Sequence, residues 1–136
     1  MPPKRKPRNR FERCGPVLAW LIHEYPCGRP VRLAWKKEIL HTDEETGKVI
    51  HCWGVADRVG KSMVIQMSKR KCRTWTETIE ILIHEYVHCM QWGLASVERH
   101  PKIEEHPDAF GAQYMSITRR YQSGGGAEES SGYEFE

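Results

Sequence analysis

The chain lacks a long hydrophobic run, and this absence excludes a membrane-spanning helix. Its longest apolar stretch, PVLAWLI at residues 16–22, is too short to cross a bilayer and is followed by His23 and Glu24. The basic start is not followed by a small-residue cleavage site, so no secretory signal peptide is expected. With 29% charged residues and a mean hydropathy of −0.66, the sequence predicts a cytoplasmic protein that makes no membrane contact.

A Cys-x-x-Cys pair is also absent. The number of cysteines is odd and they are widely spaced, a pattern that disfavours both a disulfide framework and a zinc ribbon. We expect reduced, mostly buried thiols. The five cysteines are Cys14, Cys27, Cys52, Cys72 and Cys89.

Each end of the chain lacks charge of one sign. Residues 1–10 contain five cations and no acid, whereas residues 124–136 contain four glutamates and no base. Neither end has the apolar periodicity of a core, so we predict a disordered basic tail at 1–12, one domain at 13–122 and a disordered acidic tail at 123–136. The basic tail is either a solvated arm or a DNA contact made by its cations, which are Lys4, Arg5, Lys6, Arg8 and Arg10.

The hydrophobic pattern between the tails predicts an α+β domain. A helix over residues 11–25 is followed by strand patterns at 29–35, 48–57 and 62–68. The first strand begins with Pro and is expected at a sheet edge, and the last two are expected to form a hairpin. A helix over about residues 75–92 starts at a Thr74–Glu77 capping box and stops at Gly93, and Pro107 opens a final helix that runs to about Tyr121.

The helix at 75–92 carries a His-Glu-x-x-His pattern in LIHEYVH, residues 82–88. Side chains four residues apart lie on one helix face, separated by about 6 Å along the axis, so His84 and His88 can bind one zinc ion together. Glu85 flanks the same position and can act on a metal-bound water without being a ligand. The pattern therefore predicts a metal site of the zinc-peptidase type.

A near twin of this segment, LIHEYPC, occupies residues 21–27. Cys27 stands where the second ligand would be, but Pro26 and Gly28 are expected to end the helix before Cys27 reaches the ligand face. We interpret the early copy as a similar sequence that does not form a metal site.

A catalytic zinc ion usually has three protein ligands and a water, so a third ligand is needed. We prefer His106, because it stands where the final helix is about to begin. The alternatives are His100 and the nearby carboxylates Glu104, Glu105 and Asp108.

Together with HPDAFGAQY at residues 106–114, the motif resembles the SprT-like zinc metallopeptidases, particularly the small stand-alone members often encoded by bacteriophages. The resemblance covers roughly residues 49–121. In that family the third ligand is a His followed closely by an aromatic residue, and His106 and Phe110 match those positions, while Pro107 and Asp108 replace the usual Gly-Pro. The four cysteines of the zinc ribbon found in other members are lacking, so the resemblance implies a minimal zincin: a small sheet packed on the motif helix, with two further helices.

These features predict a zinc-dependent endopeptidase with one Zn²⁺ per chain, held by His84, His88 and His106. A bound water, its pKa lowered to about 7, would attack the scissile carbonyl of a protein or peptide substrate, and Glu85 would move its proton. An edge strand, at residues 62–68 or 48–57, would align the extended substrate. Tyr114 is a candidate transition-state contact to the oxyanion.

Two other interpretations stay open. The first is a DNA-associated binding module with a structural zinc, which would require a fourth protein ligand. The second is a metal-binding fold without activity that serves as an interaction partner. The peptidase and DNA interpretations also combine, because the resemblance suggests a peptidase positioned by residues 1–10 on DNA-bound protein substrates.

Overall fold

The computed structural model describes residues 9–92 and 108–123, with the backbone alone at 108–110. These residues form an α+β domain in which three helices accompany two small sheets. In chain order the elements are α1 (Arg10–Glu24), β1 (Val31–Lys36), β2 (Ile39–Thr42), β3 (Val49–Cys52), β4 (Gly54–Val59), β5 (Ser62–Ser68), α2 (Trp75–Met90) and α3 (Asp108–Gln122).

The larger sheet has three strands in the order β1-β5-β4. β5 lies in the centre, pairing in parallel with β1 and in antiparallel with β4. Its alternate residues Met63, Ile65 and Met67 are fully buried because they face the helices. The predicted edge strand and the predicted β4–β5 hairpin are both confirmed.

The single strand predicted over residues 48–57 is wrong, because the chain changes pairing partner within it. β3 pairs with β2 to form a separate two-stranded sheet, and after Trp53 the chain continues as β4 beside β5. β2 was not predicted. Its pairing with β3 depends on a contact between separate segments rather than on a local pattern.

α1 begins at Arg10, within the stretch 1–12 that was predicted as the basic tail. The Asn9 side chain accepts a hydrogen bond from the Glu12 N–H at 3.1 Å and caps the helix. At the other end, the predicted helix stop before Cys27 is confirmed: α1 ends at Glu24, and the Cys27 thiol donates to the Arg29 carbonyl, outside any helix.

α2 runs through the centre of the domain, packing against α1, α3, β4 and β5. Its capping box is confirmed: the Thr74 N–H donates to the Glu77 carboxylate at 3.0 Å, and the Glu77 N–H donates to the Thr74 hydroxyl at 3.1 Å. Every residue from Leu82 to Cys89 is buried. The two LIHEY copies meet here, because the Tyr86 hydroxyl donates to the Tyr25 carbonyl where α1 ends.

α3 packs against both other helices. Ile117 and Tyr121 are buried, and the Tyr121 ring meets the Trp20 ring edge-on with centroids 5.9 Å apart. The Gln91 amide donates to the Gln113 side chain at 2.6 Å, which ties the end of α2 to α3. Within the described part of the chain, none of the helices has the length and apolar character needed to cross a membrane.

Candidate active site

Three ionisable side chains of the motif are buried together on α2. His84 and His88 are each 8% exposed, and Glu85 is 5% exposed. Burying such groups costs free energy unless they gain partners or are retained for function. Three of them within five residues therefore mark this stretch of α2 as a candidate site.

The two imidazoles lie at the separation that a shared metal ion requires. Their ring centroids are 5.0 Å apart, with planes inclined at 76°. Two imidazoles bound to one tetrahedral zinc through nitrogens about 2.0–2.1 Å from the metal would have centroids about 5 Å apart. Nitrogen donors of this type also suit zinc chemically, so the pair fits the ion.

Glu85 lies beside the first imidazole, with its Oε2 atom 3.8 Å from Nε2 of His84. Burial raises the pKa of the Glu85 carboxyl to about 8, and a hydrogen bond from the Ala56 backbone N–H opposes that rise. A divalent cation held by the imidazoles would further favour the charged carboxylate.

The hydrogen bond from Ala56 shows which edge of the sheet meets the site. The Ser68 N–H donates to the Trp53 carbonyl at 3.0 Å, so these two residues form a hydrogen-bonded pair. Because such pairs alternate along an antiparallel ladder, the backbone groups of Gly54, Ala56 and Arg58 point away from β5. Among the described residues, that side of β4 pairs with no other strand, and we therefore call it the free edge of β4. Glu85 lies against it.

Gly54 allows this close approach of β4 to α2. A methyl group on its Cα would lie 2.8 Å from Cγ2 of Ile81, 3.1 Å from the Gln66 carbonyl oxygen and 3.2 Å from Cγ of Glu85. These distances are shorter than ordinary van der Waals contacts, so a larger residue would push the strand and the helix apart.

Replacing Gly54 with alanine is expected to lower the free energy of unfolding by about 1–3 kcal/mol, because the added methyl group overpacks the strand–helix contact. Gly15 is the matched control. It lies inside α1, where a Cβ would have no other atom within 4 Å, so Gly15→Ala should instead stabilise the protein by about 0.5–1 kcal/mol. Urea unfolding of both variants measures the difference, and equal stabilities would contradict the close packing at Gly54.

Tyr114, the candidate oxyanion contact, lies next to the first predicted ligand. Its ring meets the His84 ring edge-on, with centroids 5.9 Å apart. Burial raises the pKa of its hydroxyl, and the Glu80 carboxylate raises it further, so the hydroxyl keeps its proton and can donate a hydrogen bond. The predicted role remains a prediction, and the position is compatible with it.

The predicted third ligand lies outside the described residues. His106 and its alternatives His100, Glu104 and Glu105 fall in the stretch between α2 and α3, and Asp108 is described only through its backbone as the first residue of α3. Within the described residues there is no group of three His, Cys, Asp or Glu side chains that could hold a metal. The choice among these ligands therefore stays a prediction.

Of the predicted nucleic-acid contacts, Lys4, Arg5, Lys6 and Arg8 precede the described residues, and only Arg10 is placed. Arg10 belongs to the folded domain rather than to a tail, because its Nε atom donates to the Cys72 carbonyl at 2.7 Å. Its guanidinium also lies 4.4 Å from the centroid of the Phe11 ring.

Of the two strands predicted to lie beside the substrate, the one at 62–68 is the central β5, and only the one at 48–57 reaches a sheet edge, as β4. Sequence reasoning missed the contacts that Gly54 and Ala56 of β4 make with Glu85. The roles of Gly54 and Ala56 beside Glu85 depend on register, although a glycine inside a strand pattern is a recognisable signal of close backbone approach.

No protein-family model matches the chain, and the searches of curated proteins and of solved structures also find no match. The likeness to SprT-like metallopeptidases therefore depends on the motif residues named above. Any inference about the class of protein must therefore come from the geometry of His84, Glu85 and His88.

Proposed function

We propose that the protein is a zinc-dependent metallopeptidase with a zincin-like fold that hydrolyses peptide bonds in a protein substrate. The observation that carries the proposal is the burial of His84, Glu85 and His88 together against the free edge of β4. A single buried histidine is common in a core, whereas two at metal-sharing separation beside a buried carboxyl with a perturbed pKa form the pattern of a functional site.

Each residue has a role in the proposed reaction. His84 and His88, with a third ligand for which His106 is the candidate, would hold one zinc ion. Zinc, when bound, supplies a Lewis acid that lowers the pKa of water and polarises a carbonyl. Glu85 would accept the proton of the attacking water and pass it to the leaving amine.

The free edge of β4 would bind the substrate. The outward carbonyls of Gly54 and Ala56 can accept hydrogen bonds from an extended peptide, which would add a strand to the sheet. Because Glu85 contacts the same edge, a peptide aligned there would have its backbone beside the base. This arrangement favours an endopeptidase that acts on unstructured segments.

The experiment that tests the proposal is cleavage of an unfolded protein, such as reduced casein, by the zinc-loaded chain. We expect fragments to appear, a zinc chelator to stop the reaction, and added Zn²⁺ but not Mg²⁺ to restore it, because imidazole ligands suit zinc and not magnesium. Cleavage that continues in the presence of the chelator would point to a contaminant or to a different mechanism. No cleavage by a chain that contains zinc would contradict the proposal.

A further inference from the structure

Cations collect at one end of the three-stranded sheet. β1 and β5 run in parallel, so the turns that follow them lie at the same end. The Lys69 N–H donates to the Lys36 carbonyl at 2.8 Å and the Arg70 N–H donates to the Lys37 carbonyl at 3.1 Å, which fixes the two turns side by side. The end of β1 and these two turns together carry six cations: Lys36, Lys37, Lys69, Arg70, Lys71 and Arg73.

The start of α1 adds two more cations to the same end. Arg10 and Lys69 both approach the Phe11 ring, with their charged groups 4.4 Å and 5.2 Å from its centroid. The Arg13 guanidinium lies 4.2 Å from the Trp75 ring centroid, at the first residue of α2. We name the resulting set the basic surface: Arg10, Arg13, Lys36, Lys37, Lys69, Arg70, Lys71 and Arg73.

Few acids balance this charge. The same turns and helix starts carry three acids: Glu12, Glu38 and Glu77. Glu38 pairs with Arg70 at 3.2 Å, and the Glu77 side chain is engaged in the capping box of α2. The basic surface has eight cations against these three acids, whereas the whole chain has a formal net charge of only +3. The positive charge of the chain is therefore concentrated at this end of the domain.

The chemistry of the basic surface favours phosphate groups over bases. Lys36, Lys37, Lys69 and Arg73 are exposed, so their charged groups can reach a polyanion. The Phe11 and Trp75 rings already have cations over them, so they do not form an open platform on which single-stranded bases could stack. Closely spaced phosphates, as in duplex DNA, match a surface of this kind.

We propose that the basic surface binds the phosphate backbone of double-stranded DNA without reading its sequence. This inference places the main DNA contact on the folded domain rather than on the tail, and it does not depend on peptidase activity.

The position of the basic surface also links it to the candidate active site. Lys71 Nζ lies 5.6 Å from the centroid of the Trp53 ring, and Trp53 immediately precedes Gly54, which packs against Glu85. DNA held on the basic surface would therefore bring proteins bound to that DNA close to the free edge of β4. This consequence, unlike the binding itself, rests on the proposed peptidase function.

The test compares three variants of the full chain, each of which removes four positive charges. The surface variant combines Lys36→Gln, Lys37→Gln, Lys69→Gln and Arg73→Gln. The matched control combines Lys48→Gln, Arg58→Gln, Lys61→Gln and Arg119→Gln, all exposed and outside the basic surface. The tail variant combines Lys4→Gln, Arg5→Gln, Lys6→Gln and Arg8→Gln.

Binding is measured by fluorescence anisotropy with a labelled duplex of about 20 base pairs, at salt concentrations from about 50 to 200 mM. The surface variant is expected to bind at least about tenfold more weakly than the wild type. The slope of the logarithm of its binding constant against the logarithm of the salt concentration should be shallower by about 0.9 for each phosphate that it no longer neutralises. The control variant should stay within about threefold of the wild type, since its cations lie away from the bound phosphates. Circular dichroism shows whether each variant is folded.

Three results would overturn the inference. The first is equal loss of affinity in the surface and control variants, which would indicate an effect of net charge alone. The second is a tail variant that no longer binds while the surface variant binds like the wild type. The third is a wild-type chain that binds vesicles containing phosphatidylserine but not the duplex. The Glu85→Gln variant should bind DNA normally whether or not the protein is a peptidase.

Discussion

The Glu85→Gln variant is expected to retain zinc and to lose peptidase activity by a factor of about 10²–10⁴, the usual contribution of a general base. Glutamine has nearly the same shape as glutamate, and its carbonyl can still accept the hydrogen bond from the Ala56 N–H. It cannot accept a proton from water. Burial already disfavours the charged carboxylate, so the neutral replacement should not weaken the fold.

The twin segment supplies the control for this substitution. Glu24 follows a histidine in the same Leu-Ile-His-Glu-Tyr context, but it lies at the end of α1, where it pairs with Arg120 at 3.1 Å on the partly exposed surface. Glu24→Gln should leave activity unchanged and cost less than about 1 kcal/mol of stability. Cleavage by Glu85→Gln at the wild-type rate would remove Glu85 from the mechanism.

Zinc should stabilise the wild-type protein strongly, and the His88→Ala variant should lose that stabilisation. A ligand that binds only the folded state at a concentration about 1,000 times its Kd adds about 4 kcal/mol to the free energy of unfolding. Removing one of the two imidazoles at 5.0 Å separation would leave a site with too few donors. Thermal unfolding with and without Zn²⁺ measures the shift in Tm.

His23→Ala is the control, since His23 is exposed and lies in the twin segment at the position that corresponds to His84. This variant should show the full zinc-dependent shift in Tm. A shift of the same size in His88→Ala as in the wild type would mean that zinc stabilises the fold from another location.

The sequence predicted α2 and the β4–β5 hairpin well because their signals are local. Thr74 and Glu77 are three residues apart and form a capping box regardless of the rest of the chain. The three motif residues could also be identified as a candidate site from the sequence, because their spacing alone puts His84 and His88 on one helix face.

The remaining features depend on contacts between distant segments and could not be predicted in this way. The division of β3 from β4 at Trp53 follows from pairing with two different partners. The basic surface unites cations from residues 10–13, 36–37 and 69–73, and only the parallel pairing of β1 with β5 brings the second and third groups together. In the sequence, these groups look like ordinary solvated charges.

The central claim is that the motif on α2 holds a metal, and elemental analysis of the purified chain tests it most directly. We predict close to one zinc per chain, lost in His88→Ala and in His106→Ala but retained in His100→Ala. A wild-type chain that binds no zinc, even when zinc is supplied, would contradict the claim. It would mean that LIHEYVH, like LIHEYPC, forms no metal site.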